Sequence, residues 1–131
     1  MNRAEIWIHG GCKNNGKPGA NAYGRMAVYH DGEFQKDEFW NFMDSFTGNQ
    51  ADYEVLIKTL EYIQNDPQYK DIPVTIFTPS QLMLGQLTKG YRVNAVILQS
   101  LCADAKRKLS KLSNVTLEWM QKDTVDAMIG K

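Results

Sequence analysis

The order of strand-forming and helix-forming segments constrains the fold of this chain more than any other feature. Residues 4–9 are rich in side chains that favour strands and run into a turn dense in glycine and asparagine. Residues 23–31 and 33–40 form two more predicted strands, joined at an Asp-Gly sequence that supplies the positive φ of a tight hairpin turn. The first helix follows only then, over residues 49–65. Three strands therefore precede any helix.

In the second half of the chain, predicted strands alternate with predicted helices. Residues 73–78 predict a fourth strand, followed by a short helix, a longer helix over about 94–112, and a last strand over 115–120. This order predicts an α/β fold in which an antiparallel hairpin joins parallel strands in a five-stranded mixed sheet flanked by helices. A length of 131 residues and 43% apolar residues fit one globular domain spanning 1–131.

Spacing within the two main helices predicts their buried faces. Asp52, Leu56, Leu60 and Ile63 follow at steps of four, four and three, so they share one face of the first helix. The longer helix carries an apolar stripe made of Leu98, Leu101, Cys102, Ala105, Leu109 and Leu112. Its basic cluster lies mostly off that stripe, and we interpret it as a solvated face rather than a nucleic-acid contact.

Charge and cysteine content limit the function classes. Fifteen basic and fifteen acidic residues give a formal net charge of zero, which argues against binding nucleic acid or membranes by bulk attraction, although a local basic groove remains compatible. Cys12 and Cys102 form no metal-spaced pair, so we expect reduced thiols and a cytoplasmic protein, with Cys102 in the core. The first residues lack the apolar segment of a signal peptide, and apolar runs reach only three or four residues, so we expect no membrane span.

Four segments, in order and at matching spacings, resemble type 1 ribonucleases H. The turn HGGCKNNGKPGANAYG resembles the family's opening glycine-asparagine-proline loop, and Ala51-Asp52-Tyr53 resembles its Ala-Glu-Tyr at a helix start. Thr78-Pro79-Ser80-Gln81-Leu82 resembles the segment beginning Asp-Ser-Gln-Leu, and Asp126-Ala127-Met128 resembles the segment that closes the active site. The resemblance implies a ribonuclease H-like fold whose final helix is truncated here.

The same resemblance implies an incomplete catalytic centre. Ribonucleases H hydrolyse the RNA strand of RNA–DNA hybrids with two divalent ions, held by carboxylates in the order Asp, Glu, Asp, Asp. Those positions fall on His9, Asp52, Pro79 and Asp126. A neutral imidazole cannot bridge two ions and Pro79 offers no ligand, which leaves Asp52 and Asp126 as weak metal ligands at most. We therefore expect no intact catalytic residues, no two-metal site and no cofactor.

Alternative interpretations of these positions are structural. Thr78-Pro79-Ser80-Gln81 fits a helix start, with Thr78 as N-cap, Pro79 at the first helical position and Gln81 three residues after the cap. We expect His9 to be a hydrogen-bonded, partly buried histidine rather than a metal ligand. Only five residues follow Asp126, which predicts a final helix with little to hold it.

The positions expected to face nucleic acid are better retained. In the resembled family the first loop and the helix start contact the sugar edges of the hybrid in its minor groove. The corresponding candidates here are Asn14, Asn15, Gly16, Asn49 and Gln50, with Lys13, Lys89 and Arg92 as phosphate contacts. Asn and Gly are also ordinary turn residues, and Asn49 also fits an N-cap, so both interpretations stay open.

Three functions follow as hypotheses. The first is a catalytically degenerate ribonuclease H-like domain that binds RNA–DNA hybrid or duplex nucleic acid. The second is a protein-interaction or scaffolding domain, which the neutral charge balance favours. The third is a hybrid ribonuclease with a rebuilt one-metal site on Asp52, Asp126 and His9.

Overall fold

Five strands pair in the order β3-β2-β1-β4-β5 in the computed structural model, which describes residues 1–130. The strands are β1 (Ala4–Lys13), β2 (Asn21–His30), β3 (Glu33–Phe42), β4 (Val74–Thr78) and β5 (Val115–Trp119). The pairs β1–β2 and β2–β3 are antiparallel, whereas β1–β4 and β4–β5 are parallel. The predicted five-stranded mixed sheet is confirmed.

Four helices flank the sheet. They are α1 (Gly48–Asn65), α2 (Gln81–Thr88), α3 (Val96–Leu109) and α4 (Lys122–Ile129), with a short 3-10 turn at Pro67–Tyr69. Within residues 1–130, none of these helices combines the length and apolar character that crossing a bilayer requires.

The first hairpin is longer than the sequence predicted. β1 continues to Lys13 because Lys13 pairs with Asn21, so β2 also begins earlier than residue 23. The glycine- and asparagine-rich segment is thereby reduced to a short loop, in which Asn14, Gly16 and Gly19 take positive φ. The interstrand hydrogen bonds override the turn composition at both ends of this segment.

The main core lies between the sheet and the pair α1 and α3. Alternate residues of β1 and β2 meet the α1 face that was predicted to be buried, and Leu56 and Leu60 have no solvent exposure. Cys102 is buried in this core, as predicted. α1 crosses β1 so closely that a Cβ on Gly10 would lie 2.4 Å from the Ala51 carbonyl carbon, so only glycine fits at residue 10.

A second, smaller core lies on the opposite face of the sheet, beneath α4. Val125 and Ile129 are buried against Trp7, Ala27 and Tyr29, and the Tyr29 hydroxyl donates a 2.7 Å hydrogen bond to the Met128 carbonyl oxygen. The expectation of a poorly held final helix is therefore wrong: two apolar anchors and one hydrogen bond dock α4 despite its length.

Candidate functional site

The four positions that correspond to family carboxylates meet where β1 leaves its pairing with β4. His9 lies on β1, just past the last residue paired with β4, and Pro79 directly follows β4. Asp52 reaches the same place from α1, since its carboxylate accepts a 3.1 Å hydrogen bond from the Gly10 amide. Asp126 reaches it from α4 and contacts His9. The four positions that the resemblance assigns to the family carboxylates therefore lie close together in the fold.

His9 and Asp126 form a close polar contact at the centre of this site. The His9 Nδ1 atom lies 2.9 Å from Asp126 Oδ1, and the Lys122 Nζ atom lies 3.7 Å from Asp126 Oδ2. Burial lowers the pKa of His9 below its ordinary value, with Lys122 acting in the same direction and Asp126 opposing it. His9 is partly buried, as the sequence predicted, and its imidazole lies against the Asp126 carboxylate.

Asp52 has a different environment from Asp126. Burial raises the pKa of Asp52 to about 7, although hydrogen bonds from the Gly10 amide and the Ser80 hydroxyl favour its carboxylate form. The protonated form of Asp52 is therefore favoured relative to an exposed carboxyl group. Asp52 and Asp126, the two carboxylates at family positions, thus have different partners.

The helix start beside Pro79 differs from the prediction. Ser80, not Thr78, is the N-cap of α2, because the Ser80 hydroxyl accepts a 3.1 Å hydrogen bond from the Met83 amide. Thr78 still belongs to β4, where it pairs with Trp119, so the helix cannot begin before it. Pro79 therefore joins strand to helix rather than occupying the first helical position.

The metal ions implied by the resemblance do not fit these residues. Nδ1 of His9 is occupied by Asp126, Pro79 has no donor atom, and Asp52 is largely satisfied by hydrogen bonds within the protein. Among residues 1–130, no three His, Cys, Asp or Glu side chains are grouped closely enough to hold a metal ion. The geometry does not bring His9, Asp52 and Asp126 together as the three ligands of a rebuilt one-metal site.

The glycine- and asparagine-rich loop is fixed to the start of α1. The Asn15 Oδ1 atom accepts a 2.8 Å hydrogen bond from the Gly48 amide, and the Gly16 amide donates a 2.8 Å hydrogen bond to the Phe46 carbonyl oxygen. Asn14 is exposed and takes a positive φ of 55°. The loop and the helix start therefore form one continuous surface next to the site.

At the helix start, Thr47 is the N-cap rather than Asn49. The Thr47 hydroxyl accepts from the Gln50 amide, and the Gln50 Oε1 atom accepts a 2.8 Å hydrogen bond from the Phe46 amide. Gln50 is only 5% exposed and has this capping role, which leaves it little surface for a ligand. Asn49 is exposed and remains available.

The predicted basic contacts lie in two different places. Lys13 is exposed at the end of β1, beside the loop. Lys89 caps the carboxyl end of α2, about 12 Å along the helix axis from the end at the site, and lines a hollow with Trp119 of β5. Arg92 is exposed in the segment after α2. The structure therefore groups Lys13, but not Lys89, with Asn15 and Asn49.

Two residues of the site were missed by sequence reasoning. Lys122 precedes Asp126 by four residues, a spacing that places both side chains on one helix face and was a readable signal. Ser80 was recognised only as part of a helix start. Its contact with Asp52 depends on α1 and α2 meeting at β1, which no local pattern contains.

Comparison with known proteins gives a consistent result for the fold. No protein-family model matches the sequence, and no curated protein does either. Among solved structures, LC11-RNase H1, isolated from compost by a metagenomic approach, superposes with a TM-score of 0.82 at 22% identity, covering 99% of this chain and 94% of that one. RNase H1 from Halobacterium salinarum NRC-1 gives a TM-score of 0.79 at 22% identity, covering 98% and 95%.

A further structure is that of LC11-RNase H1 in complex with an RNA/DNA hybrid. It superposes with a TM-score of 0.81 at 20% identity, covering 97% of this chain and 94% of that one. The strand order, the helices and these superpositions establish that the chain has the ribonuclease H-like fold.

Proposed function

We propose that this chain is a ribonuclease H-like domain that binds RNA–DNA hybrid or duplex nucleic acid and does not hydrolyse it by two-metal chemistry. The observation that carries the proposal is the fixed surface made by the β1–β2 loop and the start of α1. Two hydrogen bonds, from Gly48 to Asn15 and from Gly16 to Phe46, hold Asn14, Asn15 and Asn49 on one surface before any ligand arrives. Preorganised amides of this kind suit the sugar edges of a minor groove.

The interior of the site supports the proposal that the chain does not hydrolyse nucleic acid by two-metal chemistry. Lys122 offsets the charge of Asp126, and burial raises the pKa of Asp52 to about 7, which favours its protonated form. A site with little net negative charge attracts divalent ions weakly and repels phosphates less than four carboxylates would. The same substitutions that remove metal ligands therefore favour docking of a nucleic-acid backbone.

The proposal is tested by a salt-dependent binding titration with hybrid, duplex DNA and single-stranded oligonucleotides. We expect hybrid or duplex to bind, with an affinity that falls as salt rises. Lys13→Gln should reduce the slope of that dependence, and Asn15→Ala should weaken binding by releasing the loop from Gly48. Lys70→Gln serves as the matched control, because Lys70 is equally exposed but lies beyond the opposite end of α1. Equal effects of Lys13→Gln and Lys70→Gln would contradict the proposed interface.

A second candidate, a protein-interaction domain, is favoured by one specific observation. Met43 and Phe46, in the segment after β3, are 81% and 55% exposed, and Val96 and Ile97, at the start of α3, are 79% and 52% exposed. Met43 and Ile97 line the same hollow. Exposed apolar side chains grouped in this way are typical of partner-binding surfaces. Loss of binding to a captured protein on Met43→Ser with Ile97→Ser, without any nucleic-acid binding by the parent, would favour this candidate instead.

A further inference from the structure

The outer face of the β2–β3 hairpin carries an aromatic patch, of which the interface described above uses only Lys13. Strand alternation places Tyr23 and Arg25 of β2 and Phe39 of β3 on the sheet face opposite α1, since their neighbours Ala22, Gly24 and Met26 are buried beneath that helix. Lys13 lies beside them at the end of β1, paired with Asn21. We name Lys13, Tyr23, Arg25 and Phe39 the outer patch.

The outer patch is left open by the part of the chain that the structure describes. α4 covers the same face further along, where Val125 and Ile129 pack on Trp7, Ala27 and Tyr29. Beyond Ile129 the face is uncovered within residues 1–130, and the Phe39 ring is 57% exposed. An exposed aromatic ring grouped with a second ring and rimmed by polar side chains is typical of a ligand-binding surface.

The two rings of the outer patch are arranged like a stacking surface. The rings of Tyr23 and Phe39 are nearly parallel, with an interplanar angle of 11° and centroids 5.8 Å apart. The Tyr23 ring is held in place by Gly11, where a Cβ would come within 2.5 Å of it, and by the edge of the His9 ring. These contacts restrict the Tyr23 ring before any ligand binds, which lowers the entropic cost of stacking on it.

Charge identifies the kind of ligand. The hollow at the patch has a volume of about 280 Å³, and its lining contains two cations, two amides and two aromatic rings, but no carboxylate: Lys13, Arg25, Asn21, Asn41, Tyr23 and Phe39. Within residues 1–130, neither Lys13 nor Arg25 forms an ion pair closer than 4.0 Å. Arg25 and Phe39 also line a neighbouring hollow on the α4 side, and the acidic side chains Asp37 and Glu38 belong to that hollow. Aromatic planes flanked by free cations match the bases and phosphates of a single strand.

We infer that the outer patch binds unpaired nucleotides, with a base stacked on Phe39 and Tyr23 and the adjoining phosphates contacting Lys13 and Arg25. The patch adjoins the site directly, because His9 pairs with Arg25 across the β1–β2 ladder and its ring contacts Tyr23 edge to face. The inference rests on the proposed function, since it extends the same interface, and it specifies the ligand as a duplex or hybrid that carries a single-stranded extension.

The test compares a blunt RNA–DNA hybrid with the same hybrid carrying an oligothymidylate extension at either end, using the full chain and a Phe39→Ser variant. We expect one extension to tighten binding of the parent by about tenfold, the value of one stacked base. Phe39→Ser should abolish that gain while leaving the affinity for blunt hybrid unchanged. Phe34→Ser is the matched control, because Phe34 lies on the same strand and is 43% exposed, but contacts Tyr29 at the other end of the hairpin. Circular dichroism establishes that both variants are folded.

Binding of free oligothymidylate distinguishes a failure of the proposed hybrid or duplex binding from a failure of the outer patch. If the parent binds oligothymidylate in a Phe39-dependent way but binds neither hybrid nor duplex, the proposed function fails and the outer patch stands. If blunt hybrid binds but neither extension strengthens binding, or if Phe39→Ser keeps the gain, the patch is overturned and the proposed function stands. A change of oligomeric state on Phe39→Ser, with no change in the gain, would also overturn it and would assign the patch to a second copy of the chain.

Discussion

The pKa of Asp52 links the site to the stability of the whole fold. Its carboxyl group has a pKa of about 7 in the folded protein, against about 3.8 ordinarily, so the folded state binds a proton that the unfolded state has lost between those values. This stabilisation is fully present below about pH 4 and disappears as pH rises through 7. Asp52→Asn should therefore increase the free energy of unfolding at pH 8 by roughly 1–3 kcal/mol and have little effect near pH 4.

Urea unfolding of parent and variant at both pH values measures this effect. Asp71→Asn provides the control, because Asp71 is exposed and lies beyond the other end of α1. An equal shift from Asp52→Asn at pH 4 and pH 8 would mean that the amide acts through packing and not through the proton.

The His9–Asp126 pair predicts a titration of the opposite sign. Burial lowers the pKa of His9, so its contribution to stability is present above about pH 6.5 and is lost as pH falls through the folded value. Asp126 opposes this lowering, so Asp126→Asn should lower the pKa of His9 further. Nuclear magnetic resonance of the imidazole follows the titration directly. Asp123→Asn, an exposed change one turn earlier on α4, should leave the His9 titration unmoved. A rise of the His9 pKa in Asp126→Asn would contradict the contact between His9 and Asp126.

At the level of single residues, the sequence could predict which positions come together but not which contacts they make. The family resemblance located His9, Asp52, Pro79 and Asp126, and the fold brings them to one place. The pairing of His9 with Asp126 depends on a contact between residues 117 positions apart, which neither spacing nor composition encodes. Gln50 is a second example. Its capping role and its burial were not predicted, because the sequence also fits a helix start capped by Asn49.

At the scale of secondary structure, the start of α2 gives a direct test of which residue caps it. Ser80→Ala removes the hydroxyl that accepts from the Met83 amide and should lower the free energy of unfolding by about 1 kcal/mol. The loss should be larger at pH 8 than at pH 5, because the Ser80 hydroxyl also stabilises the charged form of Asp52. Denaturant unfolding at the two pH values measures both effects. Pro79→Ala is the control, and a larger loss from Pro79→Ala than from Ser80→Ala would restore the helix start expected from the sequence.

The docking of α4 gives a second prediction at this scale. Ile129 is buried in the last turn of α4, against the core that contains Trp7. Ile129→Ala should therefore cost about 2–4 kcal/mol and loosen the whole helix, since eight residues form a helix in water only when packing holds them. Thermal unfolding measures the loss, and a red shift of Trp7 emission reports the opening. Ala127→Ser on the exposed side of α4 should change neither, and an intact Trp7 spectrum in Ile129→Ala would contradict the anchoring role.

The elements themselves were largely predictable because each is governed by local periodicity. All five strands and the main helices have strong patterns, and the predicted buried face of α1 is correct. The limits were wrong where long-range pairing decided them: β1 runs to Lys13 because Lys13 pairs with Asn21. The predicted end of β4 at Thr78 is correct, but α2 begins later than predicted, because pairing with Trp119 holds Thr78 in the strand. The stable docking of α4 likewise depends on Trp7 and Tyr29, which are about a hundred residues away in the chain.

At the scale of the whole molecule, the fold allows the proposed binding surface to coexist with a centre that lacks two of the family's carboxylates. The loop and the start of α1 are fixed by hydrogen bonds to each other, and not through His9 or Asp126. Substitutions at His9 or Asp126 therefore leave these two hydrogen bonds in place. We expect metal chemistry and the proposed binding to be separable, and a variant that restores the carboxylates tests that separation.

The triple variant His9→Asp, Pro79→Asp, Asp52→Glu places acids at all four family positions. Without metal ions it should be less stable than the parent, because Asp126 loses its partner and faces new negative charge. Millimolar Mg²⁺ should recover that stability, since an ion that binds only the folded state stabilises it by mass action. Metal-dependent cleavage of the RNA strand in hybrids should then appear.

The gain in the triple variant should be far from additive, because a two-metal site with one carboxylate absent does not work in part. His9→Asp with Asp52→Glu, keeping Pro79, is the matched control and should show neither strong stabilisation by Mg²⁺ nor cleavage. If the triple variant folds and is stabilised by Mg²⁺ but cleaves nothing, the surface beside the centre does not position a hybrid. The exposed apolar side chains around Met43 and Ile97 would then favour the protein-interaction function. Metal-dependent cleavage by the unmodified parent would contradict the proposal that the centre lacks a two-metal site. Since His9 and Pro79 cannot supply the missing ligands, other residues would have to do so.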